Sequence, residues 1–191
     1  MTERENPRCP GRIDADWKNR RTSFPDAPMP GPETFQALGE AKIRRIIERQ
    51  HNELWSSPSG RLFGDEEHFR QVVTHAADYF VEMLGGPARY IPQRGRPMLR
   101  VRHRPFGVTA VDREIWLRAL ARAMAAEAVP QSVAETIWAW VEPLSMRMIQ
   151  QLPDPETLSR PGLEQMGFTV DPDTPATKNV APGNTASENT V

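Results

Sequence analysis

A few histidines and one run of arginines carry most of the chemistry open to this chain. His103 stands between Arg102 and Arg104, with Pro105 and Phe106 directly after it. A neutral imidazole ligates transition metals through one ring nitrogen. Arginine forks hold carboxylates or phosphates in a bidentate grip. Histidine beside arginine is common, however, and by itself points to a solvent-exposed or structural role more than to ligation. Further along, Trp116 brings an indole N–H, which donates and never accepts, although a large core aromatic is the plainer use of tryptophan. His51 is unusual in another way: it falls on the apolar stripe of a helical pattern.

The elements that must position these groups are helices. Apolar residues recur at helical spacing from about Thr34 to Trp55, through Leu38, Ile43, Ile46, Ile47 and Leu54, and Pro58 and Gly60 stop the run. His51 lies four residues after Ile47 and four before Trp55, on that same face. Asp65 and Glu66 place negative charge at the start of a second helix, whose inner face reads Phe69, Val72, Val73, Ala76, Phe80 and Met83. His68 and His75 lie on the shoulder of this face and are expected to meet solvent. Gly85, Gly86 and Pro87 end the helix. Thr109 and Asp112 can cap a third long helix, with Trp116, Leu117, Leu120 and Met124 inward, and the box Ser132-x-x-Glu135 can start a fourth. The fourth carries Ile137, Val141, Leu144 and Met148, and Pro143 is expected to kink it.

In order, Gly85-Gly86-Pro87-Ala88-Arg89-Tyr90, then Leu99-Arg100-Val101-Arg102-His103-Arg104-Pro105-Phe106, then Trp116-Leu117, resemble the group II truncated haemoglobins. Weaker likeness extends from about Thr34 to Met148. The resemblance implies an all-α truncated globin fold, a two-over-two helical sandwich, around haem b. It implies His103 as the proximal iron ligand, and a His-ligated haem is a common arrangement. Phe63 would pack flat on the haem, Val72 and Ala76 would face the ligand site, and Met98, Leu99, Phe106 and Val108 would wall the proximal side, with Leu144 at the haem edge. Tyr90 and Arg100 are nominated as propionate contacts. Trp116 would aim its N–H at bound ligand. Where relatives carry a Phe-Tyr pair, this chain has Gln50-His51. The imidazole of His51 then takes the place of a tyrosine hydroxyl as distal donor, and Gln50 replaces it if the ring turns outward. His51 or His75 could also complete six-coordinate iron.

The function so implied is binding of oxygen and other diatomic ligands, with nitric-oxide detoxification or peroxidase-like activity as further options. An electron donor, itself unidentified, would sustain any turnover, and the oligomeric state stays open, a homodimer included. A rival reading uses the five arginines between Arg94 and Arg104 in a haem-free helical module that contacts anionic partners. Against it, the net charge is −1 at pH 7, which argues against nucleic acid and membranes as partners.

The chain has 191 residues, 38% hydrophobic and 26% charged, enough for one globular domain and extensions. Cys9 is the single cysteine, so no intramolecular disulfide or Cys-based cluster can form. No apolar run reaches the roughly 20 residues of a membrane helix, and the charged MTERENPRCP start lacks the apolar stretch of a secretory signal; a cytoplasmic protein is expected. Residues 1–32 contain six prolines and 153–191 are rich in Pro, Thr, Asn, Asp and Gly. Both are expected to be flexible extensions of a globin domain over 33–152, with Trp17, Phe24, Leu163, Met166 and Phe168 making transient contacts.

Overall fold

A computed structural model describes residues 24–150 and 158–169. Regular structure among the described residues is entirely helical, as expected: α1 (Pro32–Trp55), α2 (Glu66–Met83), α3 (Ile91–Arg94), α4 (Leu99–His103), α5 (Ala110–Ala126) and α6 (Gln131–Met146). Short 3-10 turns cover Pro58–Leu62, Arg104–Phe106 and Glu164–Met166. The expectations for Trp17 and Cys9 lie outside the described residues.

Local chemistry sets the helix ends. Asp65 caps α2 by accepting the N–H of His68 at 2.8 Å, and Thr109 and Asp112 form the reciprocal box that starts α5. Gly85 has φ +92°, and a Cβ on Gly86 would meet the ring of Phe35 at 2.5 Å, so the chain leaves α2 by a path that a side chain would block. The box at Ser132 and Glu135 does not form. Pro130 enters α6 first, and its carbonyl takes the N–H groups of Val133 and Ala134. α1 is interrupted at Gly39, which sits at φ +71°, ψ 160°, rather than running unbroken.

α1 packs on α5 and α2, and α6 packs on α5 and α1. Their shared core holds Ile43, Ile47, Leu117, Leu120, Met124, Trp140 and Val141. Each such side chain contributes about 1.5–3 kcal/mol by leaving water.

The stretch 158–169 is not a flexible tail. Leu163, Met166 and Phe168 belong to the main core, and Phe168 is 1% exposed. Trp138 donates its indole N–H to the carbonyl of Pro161 at 3.1 Å, and Arg160 reaches Glu142 at 2.6 Å. Three apolar side chains bunched around one 3-10 turn bury enough surface to offset the entropy of ordering it. Before α1, Phe24 packs near Met146 and Ile149, and Arg147 donates to the carbonyl of Pro25 at 3.2 Å. Residues 24–31 therefore lie against the helices, in place of the loose extension expected there.

Candidate functional site

A cavity of about 570 Å³ opens between α1, α2, α5 and α6 and the short α3–α4 region, a size typical of ligand pockets. The sequence predictions Phe63, Val72, Ala76, Tyr90, Leu99, His103, Phe106, Val108, Trp116, Leu144 and His51 all line it.

His103 ends α4, and its Nδ1 lies 2.7 Å from the carbonyl of Leu99, one turn back. A carbonyl only accepts, so Nδ1 carries the proton and Nε2 keeps its lone pair. Burial pushes the imidazole pKa down, with the Leu99 bond opposing, so the neutral ligating form is favoured. A backbone bond that fixes the tautomer is the usual support of a metal-bound histidine.

His51 repeats this geometry across the cavity. Its Nδ1 lies 2.8 Å from the carbonyl of Ile47, the ring is 5% exposed, and burial lowers its pKa to about 4. Neutral His51 therefore presents a lone pair at Nε2 to the cavity, where a donor was expected from the sequence. The proton it would have donated is committed to the helix backbone. Phe63 tilts against the ring with centroids 6.0 Å apart.

Gln50 does not reach the cavity. It is fully buried and donates from Nε2 to the carbonyl of Trp116 at 3.2 Å, while its Oε1 has no partner among the described residues. One residue along α1 turns about 100°, which carries Gln50 into the α1–α5 contact when His51 faces inward. Trp116 lines the cavity, and its indole N–H has no acceptor among the described residues.

Arg100 also lies away from the cavity: it is exposed and rests on the ring of Phe24, 5.7 Å from its centre. The cations at the rim are Arg94 and Arg102. Arg102 sits 5.9 Å over the ring of Tyr90 and donates to the carbonyls of Pro97 and Arg94. Arg94 lies 3.0 Å from Nε2 of His75. His68 and His75, expected in solvent, line the cavity as well. His68 is held 2.6 Å from the carbonyl of Phe63 and stacks on Phe106; burial, then Arg94, holds the pKa of His75 down. Met98 leaves the proximal wall altogether, with φ +41° and 59% exposure.

Sequence reading missed one corner of the cavity. Asp112 accepts from Ser59 and, through both oxygens, from Arg61, each at 2.7 Å, and Arg61 holds its carboxyl well below the usual range. Next to it Arg113, 4% exposed, pairs with Glu142 at 2.6 Å and bonds Ser145 and the carbonyl of Ser159. An Asp-Arg pair at a helix start reads as a solvated turn, and its burial depends on partners 29 to 53 residues away.

The all-helical frame, the apolar cavity and a histidine with a fixed lone pair define a globin-type haem pocket. A profile described as bacterial-like globin matches residues 16–150. Among solved structures, phosphate-bound Hell's gate globin IV is 33% identical, with a TM-score of 0.71, covering 86% of this chain and all of that one. A group II 2-on-2 haemoglobin from Agrobacterium tumefaciens is 30% identical with a TM-score of 0.56, covering 62% of this chain and 95% of the other. The group 2 truncated haemoglobin YjbI of Bacillus subtilis is 24% identical over 117 residues, 61% of this chain and 88% of its own length. The chain belongs to the bacterial-like globin family, its fold is the 2-on-2 globin fold, and its function is haem-based ligand binding.

Proposed function

We propose that this globin holds haem b through Nε2 of His103 and binds oxygen and other diatomic ligands on the His51 side. The observation that carries the reading is His103, whose Nδ1 is tied to its own helix while Nε2 is left for the apolar cavity. When bound, the haem supplies an iron centre that takes a diatomic ligand and changes oxidation state.

The chain's own residues do the rest. Phe63, Val72, Ala76 and Phe80 exclude water from the ligand side, which keeps every remaining polar contact strong. Trp116 offers the N–H that a bound ligand's negative end needs. Arg94 and Arg102 at the rim match two propionate carboxylates. His75 is already engaged with Arg94, so His51 is the better placed of the two for a second bond to iron.

Peroxide reduction is the second reading, and the tautomer of His51 favours it. Hydrogen peroxide arrives with its own proton, and Nε2 of His51 could accept that proton and return it to the departing oxygen as the O–O bond breaks. The two electrons for that cleavage come through the haem and are restored by an external one-electron donor. A lone pair there does nothing for a ligand that needs a donor. Spectra of the purified protein in ferric, ferrous and oxygenated forms test the first reading; absence of a haem band after reconstitution refutes it. Peroxide turnover that drops at least about a hundredfold in His51→Leu, with oxygen binding retained, supports the second, and unchanged turnover refutes it.

A further inference from the structure

Between Glu82 and Asp112 the chain carries six arginines, 89, 94, 96, 100, 102 and 104, and no lysine, aspartate or glutamate. Arg89 pairs with Glu40, and Arg94 and Arg102 sit at the cavity rim. Arg96, Arg100 and Arg104 remain. All three are exposed, and none pairs with a carboxylate among the described residues. The same stretch carries exposed apolar side chains, Ile91 before these arginines and Met98 and Val101 among them, the last 58% exposed.

Position gives this face its meaning. Val101 lies about 200° round α4 from His103, so the residue that would hold iron and the exposed valine occupy opposite sides of one helix. A wall one helix thick, roughly 10 Å, separates the cavity from whatever rests on Val101. Exposed apolar groups beside cations that lack carboxylate partners mark an interaction surface, and Met and Arg are both enriched in interface centres. Nucleic acid fits less well. Its interfaces are more polar than this one, and a chain of net charge −1 does not attract a polyanion at long range.

We propose that the Arg96–Met98–Arg100–Val101–Arg104 face docks an acidic, one-electron donor protein that reduces the haem through the α4 wall. The proposal rests on the haem reading above. The donor's reduced iron–sulfur centre gives up one electron and is oxidised by one; the iron held by His103 takes it, ferric to ferrous, and no bond is made or broken. Electron-transfer contacts are small and steered by charge, which matches a patch of a few cations around an apolar centre.

The probe is an acidic plant-type [2Fe–2S] ferredoxin, mixed with the haem-loaded full chain under carbon monoxide. Its affinity is measured by calorimetry and haem reduction by stopped-flow absorbance. The triple variant Arg96→Glu, Arg100→Glu, Arg104→Glu is expected to keep the wild-type haem spectrum while affinity and reduction rate both fall at least tenfold. Salt at about 0.5 M should weaken the wild type towards the variant. Val101→Ser, which leaves charge unchanged, is expected to lower affinity severalfold. Equal affinity in wild type and triple variant overturns the proposal, as does tighter binding of a duplex DNA oligonucleotide than of ferredoxin by the same arginines. A wild-type chain with no haem band would instead sink the haem reading, a result the spectrum shows before any ferredoxin is added.

Discussion

Nδ1 of His51 lies 2.8 Å from the carbonyl oxygen of Ile47, one turn back on α1. That contact decides which way His51 faces chemically. The ring's single proton is used on the backbone, so the cavity meets a base at Nε2.

The same contact sets a pH dependence. Burial holds the pKa of His51 at about 4, below the unfolded value of about 6.5. Above pH 6.5 the ring is neutral in both states and affects stability equally. As pH falls from 6.5 towards 4, the unfolded chain takes the proton and the folded one does not, so stability is lost, up to about 3 kcal/mol. Thermal melts from pH 7 to pH 4 should fall more steeply for the wild type than for His51→Leu; parallel curves would show that His51 titrates normally.

His103→Gly should abolish the native haem spectrum, and added imidazole should restore it by occupying the space left above Leu99. A variant with wild-type haem content and an unchanged ferrous spectrum would remove His103 from the iron.

Trp116→Phe keeps most of the ring's packing and deletes the one indole donor at the cavity. One such bond is worth about 1 kcal/mol, so oxygen release should quicken about fivefold with little change in melting temperature. A large drop in stability with an unaltered off-rate would make Trp116 a core residue alone.

Phe168→Ala tests the docked segment. Removal of a phenylalanine from a closed core costs about 3–5 kcal/mol, and a loss of that size should appear as a lower denaturation midpoint. A cost under about 1 kcal/mol would mean that the segment adds little to the fold.

Arg113 and Glu142 form an ion pair buried on both sides, with side-chain exposures of 4% and 6%. Glu142→Gln strands the guanidinium against the cavity and should cost about 3–5 kcal/mol. The double change Arg113→Met with Glu142→Gln should recover much of that loss in denaturant melts, since no buried charge is left uncompensated and Arg160, the other partner of Glu142, is exposed to water.

The long helices, their stops and the family of this chain were all legible in the sequence, because periodic apolar spacing and Gly-Gly-Pro punctuation act within a few residues of themselves. The His103 motif was legible for the same reason. Tertiary structure alone decided the polar fittings of the pocket. Gln50 and His51 are adjacent in sequence, yet about 100° of helical turn sends one into the α1–α5 contact and the other into the cavity. The proton of His51 is assigned by a backbone carbonyl that periodicity cannot weigh against a ligand. Arg102, rather than Arg100, reaches the rim because the left-handed turn at Met98 sets the rotation of α4. Residues 158–169 read as a tail by composition. Their three apolar side chains gain from burial only where α5 and α6 leave a groove to receive them, and that groove is built by residues distant along the chain.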